Sequence, residues 1–177
     1  MADFDFESRI VSIPDYPQPG VIFKDITPLF ADRDALSAAI TQIADHYKDA
    51  GITKIVAPEA RGFMIGTPIA FHMGVGFVPA RKPGKLPRKT VSVTYDLEYG
   101  TDTIEMHEDA LDSSDRVLIV DDLFATGGTA RAVANLVEKM GATLVGYSGI
   151  LELDALNPRP VLDPDGTLDI FSLIHVG

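Results

Sequence analysis

Apolar and polar positions along this chain recur with two different periods, and the changes between them mark out its elements. Over residues 34–50, Leu36, Ala39, Ile40, Ile43, Ala44 and Tyr47 follow i, i+3, i+4, i+7, which predicts an amphipathic helix with Asp34 as N-cap and Gly51 as stop. Ile55, Val56 and Ala57 then read as a short buried strand, residues 58–62 as a loop, 63–73 as an apolar helix and 75–79 as a second strand. Residues 91–95 alternate at period two, 99–102 look like a turn and 103–106 supply the partner strand, so that 81–107 becomes a lid-like hairpin. A second strand and helix unit is sharper. Val117, Leu118, Ile119 and Val120 form the continuous apolar run of a strand buried on both faces. The sequence DDLFATGGT follows at 121–129, and then a helix whose stripe is Val133, Leu136, Val137 and Met140, closed by Gly141 before a further strand at 143–150.

Strands alternating with helices predict an α/β fold with a mainly parallel central sheet, helices on both faces and a site at the carboxyl ends of the strands. Pro14, Pro17, Pro19, Gly20 and Pro28 break regular elements, so residues 1–33 are expected to pack as an irregular cap. The 177 residues suit a single domain, 1–177, without linker or internal repeat, and the tail around 157–165 carries no motif.

Composition narrows the chemistry. The absence of cysteine excludes thiol nucleophiles, iron–sulfur clusters and thiolate zinc sites, and fits a reducing compartment. His46, His72, His107 and His175 are scattered without metal-binding spacing, so any metal is expected to take oxygen ligands, as Mg²⁺ does. A net charge of −11 argues against sequence-independent binding to nucleic acid or an anionic membrane surface. The acidic start and the lack of any apolar run near the roughly 20 residues of a spanning helix lead us to expect a cytoplasmic protein. Local charge opposes the global balance at 81–89, where Arg81, Lys82, Lys85, Arg88 and Lys89 are joined by two prolines, a glycine and no acid. Such a stretch is expected to be an exposed, mobile loop.

Asp121 and Asp122 close a buried strand, and a small, glycine-rich turn opens the next helix. Unpaired N–H groups of Ala125, Thr126, Gly127, Gly128 and Thr129 can converge on a phosphate, while the two carboxylates can accept from a vicinal diol beside it. A ribose 5-phosphate meets both demands. No GxxxxGK[ST] occurs, Gly74 and Gly76 precede Pro79 where a dinucleotide fingerprint wants a third glycine, and 146–149 lacks GxSxG spacing. Nucleotide hydrolysis, Rossmann redox chemistry and serine hydrolysis therefore drop out.

The segment DDLFATGGT resembles the phosphoribosyl diphosphate (PRPP) motif of the type I phosphoribosyltransferases. PGVIFKDITP at 19–28, EARGF at 59–63, RKPGKLP at 81–87 and LEYG at 97–100 are similar to the adenine phosphoribosyltransferase family, in order and spacing, over residues 8–155. This resemblance implies the type I phosphoribosyltransferase fold with an N-terminal hood and a mobile β-hairpin. The implied reaction converts adenine and PRPP into AMP and pyrophosphate, with Mg²⁺ bound mainly through PRPP. On the same ground the 125–129 loop would hold the 5-phosphate, and Asp121 and Asp122 the ribose. Glu59, Ala60, Arg61, Arg81, Lys82 and Lys85 would serve the pyrophosphate, with the Ala60–Arg61 peptide cis. Adenine would lie between Phe23 and Leu123, its edge read by backbone atoms of Ile22 and Lys24; Lys24 stands where many relatives have arginine. Glu98 takes the acid/base role with Tyr99 beside it in the lid, and a homodimer is implied in which Arg81 reaches a neighbour's site. Two alternatives stay open, a non-catalytic PRPP-responsive regulator and a transferase for another purine. The missing helix-turn-helix extension and the place of the basic cluster favour the enzyme.

Overall fold

The computed structural model describes residues 4–96 and 100–177. Its chain begins with β1 (Val11–Pro14) and β2 (Ile22–Asp25), an antiparallel pair where composition alone predicts irregular packing. Four-residue strands outside the main sheet tolerate the prolines, because Pro14 ends β1 and Pro17 and Pro19 fall in the connection. After α1 (Thr27–Ala31) comes α2 (Arg33–Tyr47). The N-cap of α2 is Asp32 rather than Asp34: Asp32 Oδ1 accepts from Asp34 N at 2.9 Å and from Ala35 N at 3.1 Å.

The βαβ rhythm then holds, through β3 (Lys54–Pro58), α3 (Arg61–Met73) and β4 (Gly76–Ala80). A hairpin of β5 (Thr90–Asp96) and β6 (Thr101–His107) leads to β7 (Arg116–Phe124), α4 (Gly128–Lys139) and β8 (Thr143–Leu153). The tail adds α5 (Arg159–Leu162) and β9 (Asp169–Val176), a strand beyond those read from the sequence. Five strands form one parallel sheet in the order β4-β3-β7-β8-β9.

Central position explains the unbroken apolar run of β7. Val117 and Ile119 enter the core under α4, while Leu118 and Val120 enter the opposite core under α2 and α3. Each such buried side chain is worth about 1.5–3 kcal/mol, so a strand covered on both faces must be apolar throughout. The β5–β6 hairpin lies on the α4 side. Val91, Val93 and Tyr95 lean on that core, Ile104 and Met106 are buried in it, and Lys139 Nζ donates to Ser92 O at 3.2 Å. On the other face Phe6, Ile26 and Leu29 tie the hood to α2 and α3. No helix among the described residues is long and apolar enough to cross a membrane.

Candidate active site

β7 runs past the predicted apolar run and carries Asp121 and Asp122 near its carboxyl end, both buried. The chain then leaves at Ala125 and enters α4 through Gly127, whose φ of 83° is the left-handed conformation that glycine adopts freely. No side chain caps α4, so the N–H groups of its first turn remain free to meet a ligand. Opposite this loop, β3 ends at Pro58 and α3 begins at Arg61. A Cβ on Gly62 would stand 3.2 Å from Asp121 Oδ1 and 3.1 Å from Pro58 Cδ, so glycine permits α3 to start directly against the acid pair. Glu59, Ala60, Arg61, Asp121, Asp122, Leu123 and residues 125–129 together line one cavity of about 250 Å³.

Charges in this cavity are matched. Arg61 Nε lies 2.9 Å from Asp122 Oδ2, a contact off the line of a hydrogen bond, and that buried oxygen has no other partner. Asp122 N donates to Asp121 Oδ1 at 2.8 Å. Burial first, and then the Asp122 charge, push the Asp121 carboxyl well above the ordinary carboxylate range. Glu59 accepts from Arg81 Nε at 2.6 Å and from Lys82 N at 3.1 Å. Burial raises the Glu59 carboxyl, but those two hydrogen bonds and the charges of Arg81 and Lys85 outweigh it and leave it below its ordinary value.

The hood arrives through Phe23, whose ring lies under the Arg61 guanidinium at 5.7 Å and edge-on to Tyr16 at 5.2 Å. Ile22 and Lys24 point to the other side of β2 and line an adjoining groove of about 960 Å³ with Ala125, Thr126 and the tail. Lys24 Nζ donates to Ser12 Oγ at 2.9 Å. Of the basic loop, none of Arg81, Lys82 or Lys85 lines the 250 Å³ cavity. Arg81 is held in its own chain by Glu59, Lys82 pairs with Asp102, and Lys85 is exposed. The Lys82 pair lowers the Asp102 carboxyl and raises the Lys82 ammonium. Glu98 and Tyr99 lie outside the described residues. The cis peptide is Glu59–Ala60, one bond before the expected Ala60–Arg61.

Two residues that the sequence reading passed over secure the basic loop. Buried Glu105 accepts from Gly84 N at 3.1 Å and Thr90 Oγ1 at 3.0 Å. Tyr95 Oη lies 3.3 Å from both Asp102 Oδ2 and Thr129 Oγ1, joining the hairpin to the 125–129 loop. The period-two pattern of β5 already carried a signal for Tyr95, because it shares a face with Val91 and Val93.

A parallel sheet whose carboxyl edge combines a free helix start, an acid pair and Arg61 offers donors for an anion beside acceptors for hydroxyl groups. A family model described as phosphoribosyl transferase domain matches residues 28–151. An adenine phosphoribosyltransferase from Solidesulfovibrio magneticus is 53% identical over 169 residues, covering 96% of this chain and 99% of the relative. The crystal structure of adenine phosphoribosyltransferase from Thermoanaerobacter pseudethanolicus superposes with a TM-score of 0.91 at 48% identity, covering 97% of this chain and 98% of that one. That from Saccharomyces cerevisiae, complexed with an imino-altritol bisphosphate and adenine, superposes with a TM-score of 0.90 at 37% identity, covering 96% and 97%. The chain belongs to the adenine phosphoribosyltransferase family.

Proposed function

We propose that this chain transfers the 5-phosphoribosyl group of PRPP to adenine, forming AMP and releasing pyrophosphate. The observation that carries the reading is the cavity where the 125–129 loop, the Asp121 and Asp122 carboxylates and Arg61 meet. In it the loop N–H groups take the 5-phosphate, the acid pair accepts from the ribose hydroxyls and Arg61 serves the pyrophosphate, with Lys85 of the basic loop assigned to the same anion from outside the cavity. Arg81 and Lys82 are held at that edge by their pairs with Glu59 and Asp102. Adenine stacks between Phe23 and Leu123, and backbone groups of Ile22 and Lys24 distinguish its amino edge, since stacking alone does not.

Breaking the bond from C1 to pyrophosphate leaves cationic character on the ribose, which the Asp122 carboxylate stabilises while Arg61 receives the departing charge. Glu98, assigned by family resemblance, takes or relays the proton that adenine loses. Mg²⁺ fits this donor set through the substrate. Glu59 is engaged by Arg81 and Lys82, and Asp122 by Arg61, leaving ribose and pyrophosphate oxygens as its main ligands. When bound, Mg²⁺ would supply neutralisation of charge on the leaving group.

We further propose a homodimer working in the cytoplasm. Phe71 on α3 is 88% exposed beside a groove lined by Phe30, Leu36 and Ile40, an apolar face that a second copy would cover. The test is an assay of adenine, hypoxanthine, guanine and uracil with PRPP and Mg²⁺, paired with sedimentation. Adenine alone should be consumed, with AMP and pyrophosphate released one to one by a dimer. Turnover of an oxopurine instead would overturn the base assignment, and PRPP binding without turnover of any base would favour the regulator.

A further inference from the structure

The sequence tail holds a cluster that the proposed chemistry does not use. Glu152, near the end of β8, is an acidic side chain only 1% exposed. Arg159 grips it with a fork, Nε to Oε1 at 2.7 Å and Nη2 to Oε2 at 3.0 Å, and Ser172 Oγ of β9 donates to Oε2 at 2.9 Å. With Asp154 and His175 it forms the only trio of metal-ligating side chains within 4.8 Å found among the described residues. The arginine fork and the serine already occupy the Glu152 oxygens, however, and His175 Nδ1 lies 2.9 Å from Asp154. The group is built as an ion-pair anchor, not as a cation site.

What it anchors is α5. Arg159 is the first residue of that single turn, and the turn's far end is pinned separately, since Tyr147 Oη donates to Leu162 O at 2.8 Å in the core. Pro158 O and Leu162 in turn form the floor of the phosphate loop: a Cβ on Gly127 would lie 3.1 Å from Pro158 O and 3.2 Å from Leu162 Cγ. Across the sheet, Glu152 is also the register partner of Phe124, the last strand residue before the loop. The anchor therefore reaches the loop by two routes, through the sheet and through the floor.

We infer that Glu152 and Arg159 are positioning residues for the 5-phosphate, fixing the floor on which the Gly127 turn rests. This inference rests on the proposed function, which makes the 125–129 loop the phosphate cradle. Interior packing transmits such a constraint because a close-packed floor cannot shift without moving what lies on it. Buried Glu152 depends on its half-exposed partner, since without Arg159 only Ser172 would be left to satisfy its carboxyl oxygens.

The test compares wild-type enzyme with Arg159→Lys, which keeps the charge but loses the fork, and Tyr147→Phe, which frees the far end of α5 without touching any charge. Titration with ribose 5-phosphate and with adenine, together with KM for each substrate, reads the effect. Arg159→Lys should raise the ribose 5-phosphate Kd and the PRPP KM about 10- to 100-fold, the loss expected from a shift of order 1 Å, with the adenine KM unchanged. Tyr147→Phe should move the same constants in the same direction by less. A uniform loss of kcat with unchanged KM, or wild-type Kd in both variants, overturns the proposal. Should Arg159→Lys fail to fold, Tyr147→Phe decides alone. Wild-type protein that binds no ribose 5-phosphate would instead overturn the phosphate-cradle reading beneath it.

Discussion

Replacing Gly127 with alanine tests the proposed phosphate turn at its tightest point. Alanine pays for the left-handed φ of 83° by about 1–2 kcal/mol, a cost glycine escapes. Its methyl would also press on Pro158 O at 3.1 Å and Leu162 Cγ at 3.2 Å. Pro158 O cannot retreat easily, because it accepts from Val161 N and Leu162 N, both at 3.0 Å. Overpacking of this kind adds about 1–3 kcal/mol. The total, about 2–5 kcal/mol, should lower Tm by about 4–20 °C in a chain of this size. Gly128 supplies the internal control. A Cβ there meets only Thr126 Oγ1 at 3.8 Å and Asp96 O at 3.9 Å, and its φ is not left-handed. Gly128→Ala should thus hold or raise stability by about 0.4–1 kcal/mol. Thermal unfolding of the two apo variants, followed by calorimetric titration with AMP, separates the effects. Equal Tm for both, with AMP affinity intact in Gly127→Ala, would refute the argument from turn geometry.

Three further expectations follow from the acid pair and the hairpin. Asp122→Ala should raise the PRPP KM about 10- to 150-fold, equivalent to a charged hydrogen bond of about 1.5–3 kcal/mol, with a much smaller effect on folding; unchanged kinetics would make the acid pair structural. An acid whose folded pKa is raised stabilises fully below its unfolded value, near 3.8, and loses that contribution as pH rises, so Asp121→Asn should increase stability at pH 7 and flatten its decline above pH 4 in chemical denaturation. A slope equal to that of wild type would contradict the raised pKa. Glu98→Gln should slow a single turnover by about 10²- to 10⁴-fold while sparing PRPP affinity, whereas a normal single turnover with slow steady state would assign Glu98 to loop opening.

The part of the site that was legible in the sequence is the part made of consecutive residues. DDLFATGGT writes strand end, acid pair, turn and helix start in nine letters, and β7 and α4 follow it. Legibility fails where the fold chooses among chemically equal candidates. Asp32 and Asp34 flank Arg33, either can cap, and only backbone direction selects Asp32. Failure also follows from tertiary support. β9 is an edge strand whose burial pattern lacks a clean alternation, and it exists because β8 offers a parallel edge for it to join. Glu105 and Glu152 look like any surface acid until the fold brings Gly84 to one and Arg159 to the other. Local periodicity carries no information about such distant partners.

How a chain of net charge −11 accommodates a polyanion is answered by the pairing of its own acids at the site. Asp122 faces Arg61, Glu59 is taken by Arg81 and the Lys82 amide, and burial drives Asp121 toward its neutral form. Each carboxylate that could repel a phosphate is thus compensated before the ligand arrives, and the free N–H groups at the start of α4 set the local field. In the proposed reading Asp122 keeps the role that suits a carboxylate better than an amide, accepting from a sugar hydroxyl. Arg61 is the pivot of this arrangement, since it touches Asp122 and the Phe23 ring at once. In the proposed reading a diol that hydrogen-bonds Asp122 would share that carboxylate with Arg61, so the ion pair stands between the groups assigned to the ribose and to the pyrophosphate.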